Sequence, residues 1–171
     1  MAKTETFFLR GIVTIPNAGT YTSQEIDLGS FVNVGIKSST LLRIHDIQVQ
    51  VSNTSGYVPR LPANTAGAMA YQLTTQAQSG MVTLDDKNVV ASGIHSMRNP
   101  DSAQNSPTQS LISDQLPQDF TEGYLVAVDS LFLAGQCDSD FVDDVQVAIC
   151  MEVSLEKATQ ANASVLALSQ Q

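Results

Sequence analysis

The sequence predicts an all-β chain, an antiparallel β-sandwich of seven or eight strands, and three observations carry that reading. Apolar residues alternate with period two along several segments, turn chemistry separates those segments, and no helical stretches are interleaved with them. The clearest segment is Asp143–Leu155, where Val145, Val147, Ile149, Met151, Val153 and Leu155 occupy successive odd positions opposite Asp144, Gln146, Glu152 and Ser154. Such a strand has one face in a core and one face out. At 171 residues the chain is long enough for one domain, residues 1–171, with a sizeable core.

Taken in order, Phe7, Leu9, Val13 and Ile15 define a first strand, with Arg10 and Thr14 on its other face. Pro16-Asn17-Ala18-Gly19 supplies turn residues, and Thr20–Leu28 alternates again, so Phe7–Leu28 reads as a hairpin. Thr40–Asn53 begins with Leu42 and Ile44 on one parity and continues with Ile47, Val49 and Val51 on the other; a β-bulge near His45-Asp46 would return both sets to the core. Tyr57–Gly67, with Pro59, Pro62 and Gly67, is loop material. Strands are expected at Ala68–Ala77, carried by Met69, Tyr71 and Leu73, and at Asn88–Met97, with a turn at Asp85-Asp86. Asn99–Pro117 is rich in Ser, Gln, Asn and Pro and reads as the longest loop, of a length usually tied to function or to an interface. Gly123–Ala134 is apolar on both parities, as for a strand buried on both faces. The tail Glu156–Gln171 turns to Ala and Gln with Leu166 and Leu168, the texture of a short C-terminal helix or arm.

Composition narrows the function. Charged residues are only 15%, while Ser, Thr, Gln and Asn together number 55 of 171, a balance suited to strands and to packed polar interfaces, where neutral groups cost less to desolvate than ions. The net charge of −9 is uneven: residues 1–100 hold seven Lys/Arg and six acids, whereas residues 101–171 hold Lys157 alone against eleven acids. Basic residues are nowhere clustered, which argues against direct contact with nucleic acid and against a polybasic membrane-surface segment. No signal-peptide pattern or apolar stretch of spanning length occurs, so synthesis is expected in the cytoplasm.

The sequence marks no catalytic, cofactor-binding or metal-binding residue. His45 and His95 lie in predicted strands without a second ligand at metal spacing, and Cys137 and Cys150 read as reduced thiols in or near strands. The acidic run Asp138-Ser139-Asp140-Phe141-Val142-Asp143-Asp144 offers oxygen ligands for calcium but lacks the Gly and terminal Glu of an EF-hand loop, and a solvated inter-strand loop is the plainer reading. Asn53-Thr54-Ser55 and Asn162-Ala163-Ser164 match the glycosylation triplet, which is common in chains of this composition. No cofactor, small-molecule substrate or enzymatic activity is expected.

What remains is an interaction protein. The segments Phe7–Leu28, Leu41–Val51, Gly123–Ala134 and Asp143–Leu155 together resemble a small single jelly-roll capsid protein of an icosahedral virus, a likeness of pattern over most of the chain. The resemblance implies a single jelly roll of about eight strands and a virion subunit that self-assembles or co-assembles with other capsid proteins. The missing basic arm turns it toward tailless, membrane-containing viruses of bacteria or archaea, where lipid lies between shell and genome. A phage tail-tube or head-decoration protein and a soluble carbohydrate-binding sandwich are the alternatives; the second is the poorer fit, with aromatics at 6% and no Trp. In the capsid reading, Asn99–Pro117 and the two termini are expected to supply much of the inter-subunit contact.

Overall fold

The structure, a computed structural model, describes residues 5–35, 38–100, 108–138 and 140–170, without the side chains of 108–113. Nine strands occur among them: β1 (Phe7–Ile15), β2 (Thr22–Asp27), β3 (Ser38–Asn53), β4 (Ala66–Thr74), β5 (Val89–Arg98), β6 (Thr108–Gln115), β7 (Tyr124–Val126), β8 (Ser130–Cys137) and β9 (Val145–Thr159). A single 3-10 turn, Pro117–Asp119, follows β6, and helix α1 (Gln160–Ser169) follows β9. The strands form two antiparallel sheets, ordered β1-β9-β3-β7 and β2-β8-β4-β5-β6. This is the strand order of a jelly roll, two interlocked Greek keys wound into facing sheets, with β6 added as a fifth strand at one edge.

β9 is the centre of the first sheet, paired with β1 on one side and β3 on the other. Its odd residues Val145 to Val153 are buried, as the alternation requires. In β3 the register slips between Ile44 and Asp46. The extra residue His45 turns the strand's parity over, so Leu42 and Ile44 before it and Ile47 after it all reach the interior. Met69, Tyr71 and Leu73 of β4 and Leu131 and Leu133 of β8 meet them from the second sheet. The space between the sheets is filled by side chains.

Three expectations are corrected. Phe7–Leu28 is not a hairpin: β1 pairs with β9 and β2 with β8, in opposite sheets. Residues 16–19 are a corner that carries the chain across, held by the Asn17 N–H donating to Asp144 Oδ1 at 3.1 Å and by the Gln136 amide donating to the Gly19 carbonyl at 3.0 Å. Alternation specifies which face is apolar, not which strand lies alongside, and the two strands meet face to face at Gly11 and Ile26.

Gly123–Ala134 is likewise not one strand but β7 and β8, with a crossover at residues 127–129. Both parities are apolar because the inward direction changes when the chain changes sheet, and because Leu125 and Ala127, facing away from the main core, are covered by α1. The entry into β7 needs Gly123, whose φ is +63° and where a Cβ would collide with the Ile44 carbonyl.

The third correction concerns Asn99–Pro117. Thr108–Gln115 is strand β6, paired along β5. A polar edge strand hydrogen-bonds through its backbone, which no side-chain pattern announces. Residues 101–107 of that segment lie outside the described residues.

The tail also folds back onto the sandwich. β9 runs on to Thr159, whose hydroxyl accepts the Asn162 N–H at 3.4 Å as the N-cap of α1. The helix sets Ala163 against Leu41 and Ala127 on the outer side of the first sheet.

Candidate functional site

The residues singled out for chemistry are scattered by the fold. His45, at the bulge of β3, shares a 2.8 Å hydrogen bond with Ser154 Oγ of β9. His95, on β5, has its ring centroid 6.0 Å from that of Tyr71, and burial lowers its pKa below the ordinary 6.5 while Asp114 pulls the other way. Tyr71 is pushed up to about 12 by the same burial and by Asp114, so its hydroxyl stays protonated. The buried Cys137 thiol donates to the Pro16 carbonyl at 3.4 Å and is raised above its usual pKa, chiefly by burial. That setting is the reverse of what activates a nucleophilic cysteine. Cys150 lies on another sheet, half-buried beside Arg10, and both thiols are free.

The acidic run 138–144 spreads its carboxylates onto separate donors. Asp138 accepts the Ala68 N–H at 2.6 Å and Asp144 the Asn17 N–H at 3.1 Å. Asp143 takes both arms of the Arg60 guanidinium, at 2.6 and 2.7 Å, which lowers its pKa. Among the described residues no three His, Cys, Asp or Glu side chains converge as a metal site would need. Asn53 is committed as well, its side-chain oxygen accepting the Ser55 and Tyr57 N–H groups at 3.0 Å. Asn162 is exposed in the first turn of α1.

Other polar side chains do structural work that sequence reading missed. Arg43 of β3 forms a fork on Glu156 of β9, through Nε to Oε1 and Nη2 to Oε2 at 3.1 Å, and a third nitrogen donates to the Glu122 carbonyl ahead of β7. The Glu156 side chain is 1% exposed. Three glutamines bind backbone as a neighbouring strand would, donating to one carbonyl and accepting one N–H. Gln118 does so with Ile47, Gln170 with Leu125 and Ala127, and Gln72 with Gly80 and Val82. Part of the abundant Gln therefore closes the fold instead of facing a partner, and a glutamine carries no sequence mark that says which.

What the molecule offers to partners is surface. On the first sheet the outward residues of β1 include Phe8 and Ile12, 57% and 50% exposed, and on α1 Val165 and Leu168 are each 70% exposed. Between the edge strands β1 and β2 lies an open groove of about 630 Å³, lined by Arg10, Ile12, Glu25, Ile26 and Asp27 among others. A smaller apolar recess of about 410 Å³ lies under residues 81–84, against Ala70 and Ile94.

No known protein family matches the chain, and no curated protein sequence matches it. Among solved structures it is similar to the VP1 protein of human polyomavirus 12 bound to 3'-sialyllactosamine, at 8% identity and a TM-score of 0.47, over 91% of this chain and 100% of that one. Merkel cell polyomavirus VP1 with disialyllactose is similar at 8% identity and 0.47, over 90% and 95% of the two chains. New Jersey polyomavirus VP1 is similar at 9% and 0.43, over 90% and 98%. The jelly-roll assignment rests on this chain's own strand order, not on these likenesses.

Proposed function

We propose that the chain is a structural virion protein, a capsid subunit that assembles with copies of itself or with other capsid proteins into an icosahedral shell. The observation that carries this reading is the jelly-roll strand order around an interior filled by side chains. The sandwich is a solid plate whose faces and edges are its working parts. The role is structural, without catalysis.

The charge pattern supports a shell held apart from its genome. Basic residues are dispersed, and Arg43 and Arg60 are already engaged by Glu156 and Asp143. This favours the tailless, membrane-containing viruses of bacteria or archaea, with lipid beneath the shell. The purified chain, alone and with the other capsid proteins of its virus, is to be followed by size exclusion and negative-stain microscopy. Closed particles of uniform size support the reading; rings or tubes would replace it with a tail or decoration role. A monomer under every condition that binds glycans on an array would replace it with a carbohydrate-binding sandwich.

A further inference from the structure

Helix α1 buries its polar end and exposes its aliphatic side chains. Val165 and Leu168 are each 70% exposed, and within the helix only Ala163 is buried, whereas Gln170, which caps it, is 4% exposed. Ten residues long, with no acid in its first turn and no base in its last, such a helix does not hold itself together in water. Its body rests on Leu41 and Ala127 through the methyl group of Ala163, with Leu166 and Ala167 partly covered, in a small cluster separate from the main core. Gln170 supplies the firmer hold. Its side chain bonds the Leu125 carbonyl and the Ala127 N–H on the outer edge of β7, at 2.6 and 2.9 Å, and shares a hydrogen bond with Tyr124. Its own carbonyl accepts the hydroxyl of Thr75, just past the end of β4 in the other sheet, at 2.8 Å.

We propose that α1 is a latch with its hinge at Thr159 and its catch at Gln170: when the catch releases, residues 160–170 leave the first sheet as one unit while the sandwich stays folded, uncovering Leu41, Leu125, Ala127 and the outer edge of β7. Each group that the catch lets go has somewhere to turn. Once α1 has left, the Leu125 carbonyl and the Ala127 N–H lie on an open sheet edge, where water replaces the glutamine amide. The Thr75 hydroxyl already lies 3.4 Å from Asn88 Oδ1, a second acceptor, and the Thr75 N–H stays on the Asn88 carbonyl at 2.9 Å. No buried donor is stranded by the opening, which is the costly outcome when a hydrogen bond breaks. β7 stays in place, because Val126 is fully buried in the main core and the strand pairs with Leu42, Arg43 and Ile44 of β3. At the hinge, β9 remains paired with β3 as far as Thr159, which holds the first turn of α1 through one long bond of 3.4 Å, beside an exposed contact of the Gln160 amide with the Gly35 carbonyl. A short element with few buried apolar contacts is where local opening begins. The latch does not depend on the capsid reading: closed, it hides an apolar patch and a strand edge, and open, it presents both.

The test uses the full chain and hydrogen exchange measured amide by amide in sub-denaturing urea. The amides of residues 165–169 and the Ala127 N–H should exchange through one shared opening, faster than the amides of residues 147–153 in β9, which exchange only on global unfolding. Gln170→Ala and, independently, Thr75→Val on the other sheet should each speed that opening about tenfold. Gln118→Ala is the contrast. Its bonds to Ile47 persist in the open form, so it should speed exchange in β9 and leave the latch amides unchanged. The proposal is overturned if residues 165–169 exchange no faster than β9, if Ala127 does not share their opening, if either catch variant leaves the opening unchanged, or if Gln118→Ala speeds the latch as much as the core.

Discussion

Gln118 pairs with Ile47 as a strand residue would: its side-chain carbonyl accepts the Ile47 N–H at 3.1 Å, and its amide donates to the Ile47 carbonyl at 3.0 Å. A primary amide offers a donor and an acceptor side by side, the same pair a peptide group offers, so one glutamine can finish an edge that a short strand leaves open. Gln170 repeats the arrangement at Leu125 and Ala127 from a position only 4% exposed.

The two glutamines should therefore differ in cost. Gln170→Ala leaves buried backbone groups without partners and frees the end of α1, a loss of roughly 1–3 kcal/mol. Gln118→Ala exposes Ile47 to a wetter edge and should cost about 0.5–1.5 kcal/mol. Urea denaturation of the two variants checks the order, and a larger loss for Gln118→Ala would contradict it.

Arg43 and Glu156 set a second expectation. Glu156→Ala strands a largely buried guanidinium between β3, β9 and the turn before β7, and removing one partner of such a pair costs about 3–5 kcal/mol. Replacing both, Arg43→Met with Glu156→Leu, should recover most of that loss. A double-mutant cycle in which the two changes simply add would show that the pair is not coupled.

The parity of β9 makes a sharp contrast between neighbours. Ile149 is 4% exposed and faces the second sheet, whereas Gln146 is on the outer side, donating to Thr14 Oγ1 at 3.1 Å. Ile149→Asp should abolish soluble folding, since it places a carboxylate in the core, while Gln146→Asp should lower the melting temperature by only a few degrees. Equal soluble yield and equal melting temperature for the two would refute the register.

His95 gives the fold a pH dependence of known sign. Its folded pKa lies below the ordinary 6.5, so between the two values the unfolded chain binds more protons than the folded one. Its contribution is present in full above 6.5 and is lost as pH falls through that window, when a proton would charge the ring beside Tyr71. Thermal unfolding between pH 7.5 and 5 should show the decline, and His95→Gln should flatten it. Asp143, held below 3.8 by Arg60, titrates well outside this range, so the two effects separate.

The sequence by itself determined which residues face inward and what class of fold they build. The six odd residues from Val145 to Leu155 and the parity change at His45 were legible, because burial acts on each strand locally and leaves a period of two in the chain. Tertiary structure alone decided the partners. That β1 lies beside β9, that Gly123–Ala134 divides between two sheets, and that Thr108–Gln115 is a strand follow from backbone pairing, which is nearly independent of side-chain identity. The surface obeys the same division. Phe8, Ile12 and the lone charge Arg10 can be read off the chain, but only the sheet order shows that they lie on an open edge, while Gln118 and Gln170 close the edges that would otherwise resemble it.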